Sequence, residues 1–388
     1  MNEIIKRDNT YVAGTYKRFP IALVRGEGSL LFGPEGERYI DMGSGIGVTA
    51  FGAADAEWVR AVSTQAATLA HTSNLYYTEP CSKLAELLCQ RTGMKKVFFS
   101  NSGAEANECA IKVARKYAAE KHGEDTYTIL TLENSFHGRT LTTLAATGQE
   151  HYHELFRPLT PGFVSVPAGD TAKLEEALSS HKVAAILMEC VQGEGGVIPV
   201  DPAYAAYVDQ VCKERDLLLM IDEVQTGNGR TGTLYAYMQY GLTPDVVSTA
   251  KGIGGGLPLG ATLLGEKVEG VLGFGDHGST FGGNPVSAAG ALSVLGRMDD
   301  AFLAEVRRKS RLVFDTLEGA PGIKSVSGLG LMIGIETEKP ASEVVAKAME
   351  LGVLCLTAKH KVRLLPALNI PDELLKEALS VLLEAAKM

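Results

Sequence analysis

The segment KKVFFSNSGAEANECAIKVARKYAAE, residues 95–120, decides how this chain is built. Its apolar run from Val97 to Phe99 has the length of a buried strand. Small and polar residues follow and form a turn. Then Ala106, Cys109, Ala110, Val113, Ala114 and Tyr117 recur on one helical face, with Glu108, Lys112, Arg115 and Lys116 on the other. A buried strand that leads at once into an amphipathic helix is the repeating unit of a parallel sheet covered by helices.

Further buried-strand candidates stand at residues 127–132, 184–189, 217–222 and 246–249, with helical patterns in several of the gaps. The expected fold class is therefore α/β: a large domain with a mostly parallel central sheet covered by helices on both faces. Upstream, residues 20–45 contain IALVRGEGSLLFGPEGERYIDM, short strands punctuated by Gly and Pro that read as an antiparallel meander. Past residue 290 the pattern changes. VSAAGALSVLGRMDDAFLAEVRRKSRLVFDTLEG reads as one long helical stretch, followed by short strands at 331–335 and 353–355 and a last helix from near Asp372. With 388 residues the chain suits two domains. The expected division is a large domain over 51–290 and a smaller α+β domain built from the segments 1–50 and 291–388.

Composition narrows the function classes. Net charge is -9, so the surface repels nucleic acid and anionic membranes, and neither is an expected partner. The N-terminus lacks an apolar signal core, and no apolar run reaches the roughly 18 residues that span a bilayer, which points to the cytoplasm. The six cysteines form no C-x-x-C pair and read as small buried hydrophobes in a reducing compartment. His151 and His153 lie close together without a third ligand nearby, so no metal site is expected.

Four segments carry chemistry. SNSGAE at 100–105 sits at a strand-to-helix turn, where free N–H groups and the helix dipole favour a phosphate. Read alone, it is better explained as an ordinary capped helix start. LLLMIDEVQ at 217–225 ends an apolar strand in two acids, at the sheet edge where ligands of parallel sheets bind. A carboxylate buried there needs a cation, and a protonated pyridine nitrogen is one. STAKGIGGG at 248–256 places Lys251 after another strand and before a glycine cluster. A lysine in a partly desolvated cleft has a lowered pKa and can form a Schiff base. Alone it reads as a loop lysine, but its position one βαβ-sized step after Asp222 favours the chemical role. SFHGRT at 135–140 offers an aromatic ring to stack on a planar group and an arginine to grip a carboxylate, although read alone a core Phe and a solvated Arg explain it better.

These segments, together with TYKRFPIALVRGEG, YIDMGSGIGV, HTSNLYYTEP, VQGEGGVIPV, PDVVSTAKGIGGGLPLGA and HGSTFGGNP, resemble the class III, fold-type-I pyridoxal-phosphate aminotransferases over nearly the whole chain. Within that family the resemblance is to the members that act on N-acetylornithine in arginine biosynthesis. It implies that Lys251 holds the cofactor pyridoxal 5'-phosphate and shuttles the proton, and that Asp222 pairs with the pyridine nitrogen. Val224 is implied to pack on the ring, Gln225 to approach its hydroxyl, and Phe136 to stack on the opposite face. Ser102, Gly103 and Ala104 would hold the phosphate. Thr280 would reach that phosphate from the partner subunit of a homodimer, with Ser279 near the substrate.

The resemblance also implies a substrate set. Arg139 would bind the α-carboxylate of N-acetylornithine and Arg363 the α-carboxylate of glutamate, formed from 2-oxoglutarate. Glu194 would cover Arg363 while an ω-amine is bound. Residues 357–361, TAKHK, add positive charge near Arg363 that the family pattern lacks. Other ω-aminotransferases, acting on ornithine, succinylornithine, 4-aminobutyrate or a lysine-pathway semialdehyde, would share the cofactor residues. A cofactor-binding scaffold without turnover is the alternative from another class. A nicotinamide dehydrogenase is disfavoured, because no G-x-G-x-x-G follows an early strand.

Overall fold

A computed structural model describes residues 2–387. Its large sheet has seven strands: β1 (Lys96–Ser100), β2 (Thr128–Leu132), β3 (Phe163–Val166), β4 (Val183–Met188), β5 (Leu218–Asp222), β6 (Val246–Thr249) and β7 (Gly260–Leu264). They lie in the order β1-β7-β6-β5-β4-β2-β3. β6, β5, β4, β2 and β3 are parallel neighbours, and only β7 runs against its two neighbours. The sheet is thus mostly parallel, and every residue of β2, β4, β5, β6 and β7 is buried. Burial on both faces is why these strands are rich in apolar residues without polar alternation, and the Ser and Thr they contain are buried as well.

The expected strands do not include β3 or β7. β3 is an edge strand with partly exposed residues, so its apolar signal is weak. β7 opens on Gly260, just after a Gly- and Pro-rich stretch that reads as loop. That glycine has a packing reason: a Cβ there would stand 2.3 Å from the Ser102 carbonyl oxygen. The antiparallel β7 inserted between β6 and β1 therefore lets the turn after β1 lie directly against the sheet.

The helix after β1, Gly103–His122, buries the expected face, from Ala106 to Tyr117. Its start is a capping box. The Glu105 N–H donates to Ser102 Oγ at 3.2 Å, and the Asn101 N–H donates to Glu105 Oε2 at 2.7 Å.

The strands Arg25–Glu27, Leu30–Phe32 and Arg38–Asp41 form the antiparallel meander. Val353–Leu354, far down the chain, joins it in parallel with Val353 opposite Ile40. Ile323–Leu329, Met332–Thr337, Lys361–Leu364 and Leu356–Ala358 make a separate antiparallel sheet in that order. The expected single long helix is two, Pro285–Gly296 and Asp300–Leu317. Asp299 breaks it, because its side chain accepts the Phe302 N–H at 2.8 Å and so caps a new helix. The last helix spans Asp372–Lys387. Among the described residues, no helix is long and apolar enough to cross a membrane.

Candidate active site

The carboxyl ends of β1, β2, β4, β5 and β6 converge on a cavity of about 430 Å³. Its walls include Ser102, Gly103 and Ala104 from the turn after β1, and Phe136 and Arg139 from the loop after β2. Asp222, Val224 and Gln225 follow β5, and Lys251 follows β6. Residues scattered over the sequence thus meet because parallel strands end on one side of the sheet.

Asp222 and Glu223 are consecutive and point apart, as neighbours at a strand end must. Asp222 lines the cavity, whereas Glu223 turns into the protein and accepts the Tyr237 N–H at 2.8 Å. Burial pushes the Glu223 carboxyl up to about 7 against the bonds from Thr226 and Tyr237. Asp222 is buried and held by three donors: Asn107 Nδ2 at 2.7 Å, His137 Nδ1 at 2.8 Å and the Val224 N–H at 3.0 Å. No Lys or Arg forms an ion pair with it among the described residues. Gly103 lets Val224 pack on the helix start, since a Cβ at 103 would lie 2.5 Å from Val224 Cγ1.

Lys251 occupies a left-handed backbone conformation, φ 46°, which is costly for a residue with a Cβ. Its side chain is surrounded by protein, and burial holds the amine below the usual lysine range, while Asp222 and Glu194 pull it back up. Asn228 holds the chain there by donating from Nδ2 to Thr249 Oγ1 at 3.0 Å and the Ala250 carbonyl at 3.1 Å.

Arg363, on the strand Lys361–Leu364, is buried and paired with Glu194, Nη1 to Oε1 at 2.5 Å. Gln225 bridges them, accepting from Arg363 Nη1 at 3.2 Å and donating to Glu194 Oε1 at 3.2 Å. Burial opposes the charge on Glu194, but Arg363, Lys251 and Gln225 together hold its carboxyl below the usual range. The Arg139 guanidinium lies 5.5 Å from the Phe136 ring centroid and 4.4 Å from that of Tyr152. Glu194, Arg363, Ser279 and Thr280 do not line this cavity, and the Glu194–Arg363 pair reaches it through Gln225, which does. Thr280 is exposed, and Ser279 Oγ accepts from Asn101 Nδ2 at 3.3 Å. The extra cations of residues 357–361 are also engaged: Lys359 donates to Asn134 Oδ1, and Lys361 to Ser327 Oγ.

Three residues of the site were not singled out from sequence. Asn107 is a polar residue buried in the helix start, His137 sat unassigned within SFHGRT, and Glu189 ends the strand region of β4. Glu189 accepts the Phe136 N–H at 3.0 Å and the Gly193 N–H at 3.3 Å, and burial beside Asp222 raises its carboxyl well above the usual range. A buried polar residue inside an apolar pattern was the signal available for Asn107.

Comparison with known proteins places this site in a family. The model of the class-III aminotransferases matches residues 11–386. An acetylornithine aminotransferase of Haemophilus ducreyi is 51% identical over 383 residues, 98% of each chain. One from Caldanaerobacter subterraneus is 45% identical over 386 residues, again 98% of each. Among solved structures, N-acetylornithine aminotransferase from Stenotrophomonas maltophilia superposes with a TM-score of 0.84 at 35% identity, covering 98% of both chains. The ornithine aminotransferase of Toxoplasma gondii superposes with a TM-score of 0.94 at 31% identity, over 99% of this chain and 94% of that one. The chain belongs to the class-III aminotransferases, enzymes that work with pyridoxal 5'-phosphate.

Proposed function

We propose that the protein transfers the δ-amino group of N2-acetyl-L-ornithine to 2-oxoglutarate, giving N-acetyl-L-glutamate 5-semialdehyde and L-glutamate, and that it does so in the cytoplasm as a homodimer. The observation that carries this reading is the Arg363–Glu194 pair beside Lys251, with a second arginine, Arg139, on the cavity wall. Such a site can take an amine far from a carboxylate and then an amine next to one. Glu194 neutralises Arg363 in the first case and yields it in the second. The acetylornithine aminotransferases at 43–51% identity over nearly the full chain support the same donor.

The residues fit pyridoxal 5'-phosphate. Asp222 is a buried carboxylate facing the cavity whose partners are an imidazole, an amide and a backbone N–H, so a pyridinium supplies the cation it lacks. The turn at Ser102, Gly103 and Ala104 opens a 20-residue helix and offers N–H groups to a phosphate. Phe136 and Val224 both line the cavity and would hold a flat ring between them. When bound, the cofactor supplies an electron-withdrawing ring that spreads the charge left when the substrate carbon loses its proton.

The remaining work falls to the chain. Lys251, whose amine burial holds below the usual lysine range, takes the proton from the carbon bearing nitrogen and returns it, a step worth about 10²–10⁴-fold. Arg139 takes the carboxylate of the donor. Asp222, fixed by Asn107 and His137, stays oriented without cost at the moment of reaction. Ser279 and Thr280, outside their own cavity, serve the partner's site. Leu75, Tyr76, Tyr77, Phe274 and Phe281 are large exposed apolar side chains on and around the same loops, suited to burial between two copies. The segments 1–50 and 291–388 form the small domain that carries Arg363.

The fold likeness to ornithine aminotransferase favours ornithine as the second reading. Catalytic efficiency on the two donors separates them: N-acetylornithine is expected to exceed ornithine by about 10-fold or more, a difference of ~1.4 kcal/mol. A preference for ornithine refutes the proposed donor and leaves the family intact.

Glu194→Ala tests the masking role. An uncovered Arg363 attracts the donor's carboxylate and misplaces its δ-amine. The KM for N-acetylornithine is expected to rise about 10-fold, while that for 2-oxoglutarate falls or holds. Equal changes in both KM values would count against masking.

A further inference from the structure

Arg230 is a buried cation that the proposed reaction leaves unused. Only 2% of its surface is exposed, and it forms no ion pair among the described residues. Nη1 donates to two backbone carbonyls, Leu331 at 3.1 Å and Pro366 at 2.5 Å, while Nε and Nη2 have no hydrogen-bond partner among the described residues. Burial pushes its guanidinium down to about 9, with the Asp41 carboxylate, beyond ion-pair distance, pulling it back up, so holding the cation here is expensive.

What it touches explains its place. Leu331 leads into the strand Met332–Thr337, and Pro366 lies just past the strand Lys361–Leu364. These two strands are paired, with Gly334 opposite Arg363. Arg230 therefore grips both strands of the pair that carries Arg363, one at its start and one beyond its end. The backbone adds a second hold, since the Leu331 N–H donates to the Arg230 carbonyl at 2.9 Å. The turn can come so close only because residue 330 is glycine, where a Cβ would stand 2.5 Å from that carbonyl oxygen. Two residues earlier on the same loop, Asn228 holds the chain at Thr249 and Ala250, immediately before Lys251. One short loop thus grips the lysine on one side and the arginine strand on the other.

We propose that Arg230 is a positioning residue that sets the place of Arg363 relative to Lys251, and so determines how well the site accepts a carboxylate adjacent to the reacting carbon. The inference rests on the reading that Arg363 binds the α-carboxylate of 2-oxoglutarate and glutamate. The donor N-acetylornithine, whose reacting carbon is remote from its carboxylate and which leaves Arg363 covered, does not depend on this spacing. A displacement of about 1 Å at such a clamp can cost up to ~10²-fold.

The test uses the holoenzyme with Arg230→Gln, Arg230→Lys and, as reference, Arg363→Lys. Each half-reaction is followed separately through the cofactor's absorbance. Arg230→Gln is expected to raise the KM for 2-oxoglutarate about 10-fold or more and to leave that for N-acetylornithine within about 2-fold. Arg230→Lys, which keeps a charged donor for one of the two carbonyls, should fall between. If the Gln variant does not fold, the Lys variant carries the comparison. A loss shared equally by both half-reactions, or no change in either, overturns the proposal and leaves Arg230 a structural residue. If Arg363→Lys raises the KM for 2-oxoglutarate but neither Arg230 variant does, the positioning role alone is wrong. If Arg363→Lys leaves that KM unchanged, the reading of Arg363 fails and this inference with it.

Discussion

Lys251→Ala is expected to lower turnover by about 10⁴-fold or more, combining the loss of acid–base catalysis with the loss of covalent activation of the cofactor. The side chain's surroundings give the reason. It lies half-buried on the wall of a cavity with Asp222 and Glu194 near enough to bias its charge, and no other lysine lines that cavity. Stability should change little or improve, since the residue holds a strained left-handed backbone that alanine does not relieve and a buried amine that alanine removes. The check is single-turnover kinetics on purified, cofactor-saturated protein, with borohydride treatment beside it. Borohydride should fix the cofactor to the peptide containing residue 251 in the native chain and leave the variant unlabelled. Native-like transamination by Lys251→Ala would remove the foundation of the proposed function.

Replacing Asp222 has two effects that different substitutions separate. Asp222→Asn keeps the shape and removes the charge. Activity is expected to drop about 10²–10³-fold, the usual effect of losing one preorganised electrostatic partner. Asp222→Ala should add a stability loss, because Asn107 Nδ2, His137 Nδ1 and the Val224 N–H would all face a void. Each buried donor left without a partner costs about 1–3 kcal/mol. Asn107 retains its bond to the His137 carbonyl at 2.8 Å, so its share should be the smallest. Urea unfolding with and without cofactor measures the stability term, and half-reaction rates measure the other. Near-native rates in Asp222→Asn would show that the carboxylate's charge is not what the reaction uses.

Much of this was legible in the chain itself. The run at residues 95–120 announces a strand, a turn and an amphipathic helix, and those elements stand where the pattern puts them. Asp222 and Lys251 each follow an apolar run long enough to be a buried strand, so both fall at the end of the sheet where ligands collect. Other features escaped for physical reasons. β7 is short, begins with glycine and follows a glycine-rich stretch, so nothing local distinguishes it from a loop. The break at Asp299 depends on one side chain capping a helix rather than continuing it, a choice that periodicity does not register.

Local patterning was enough to show most of the buried segments, their order along the chain, and which reactive side chains stand at strand ends. Hydrophobic period and turn residues report the exposure of one element at a time. Partnership was decided only by the tertiary structure. His137 meets Asp222 across 85 positions, Glu194 meets Arg363 across 169, and Arg230 meets Pro366 across 136. Each meeting depends on which strand ends and loops come to lie side by side, and that follows from packing the whole sheet and its covering layers, which no local stretch encodes.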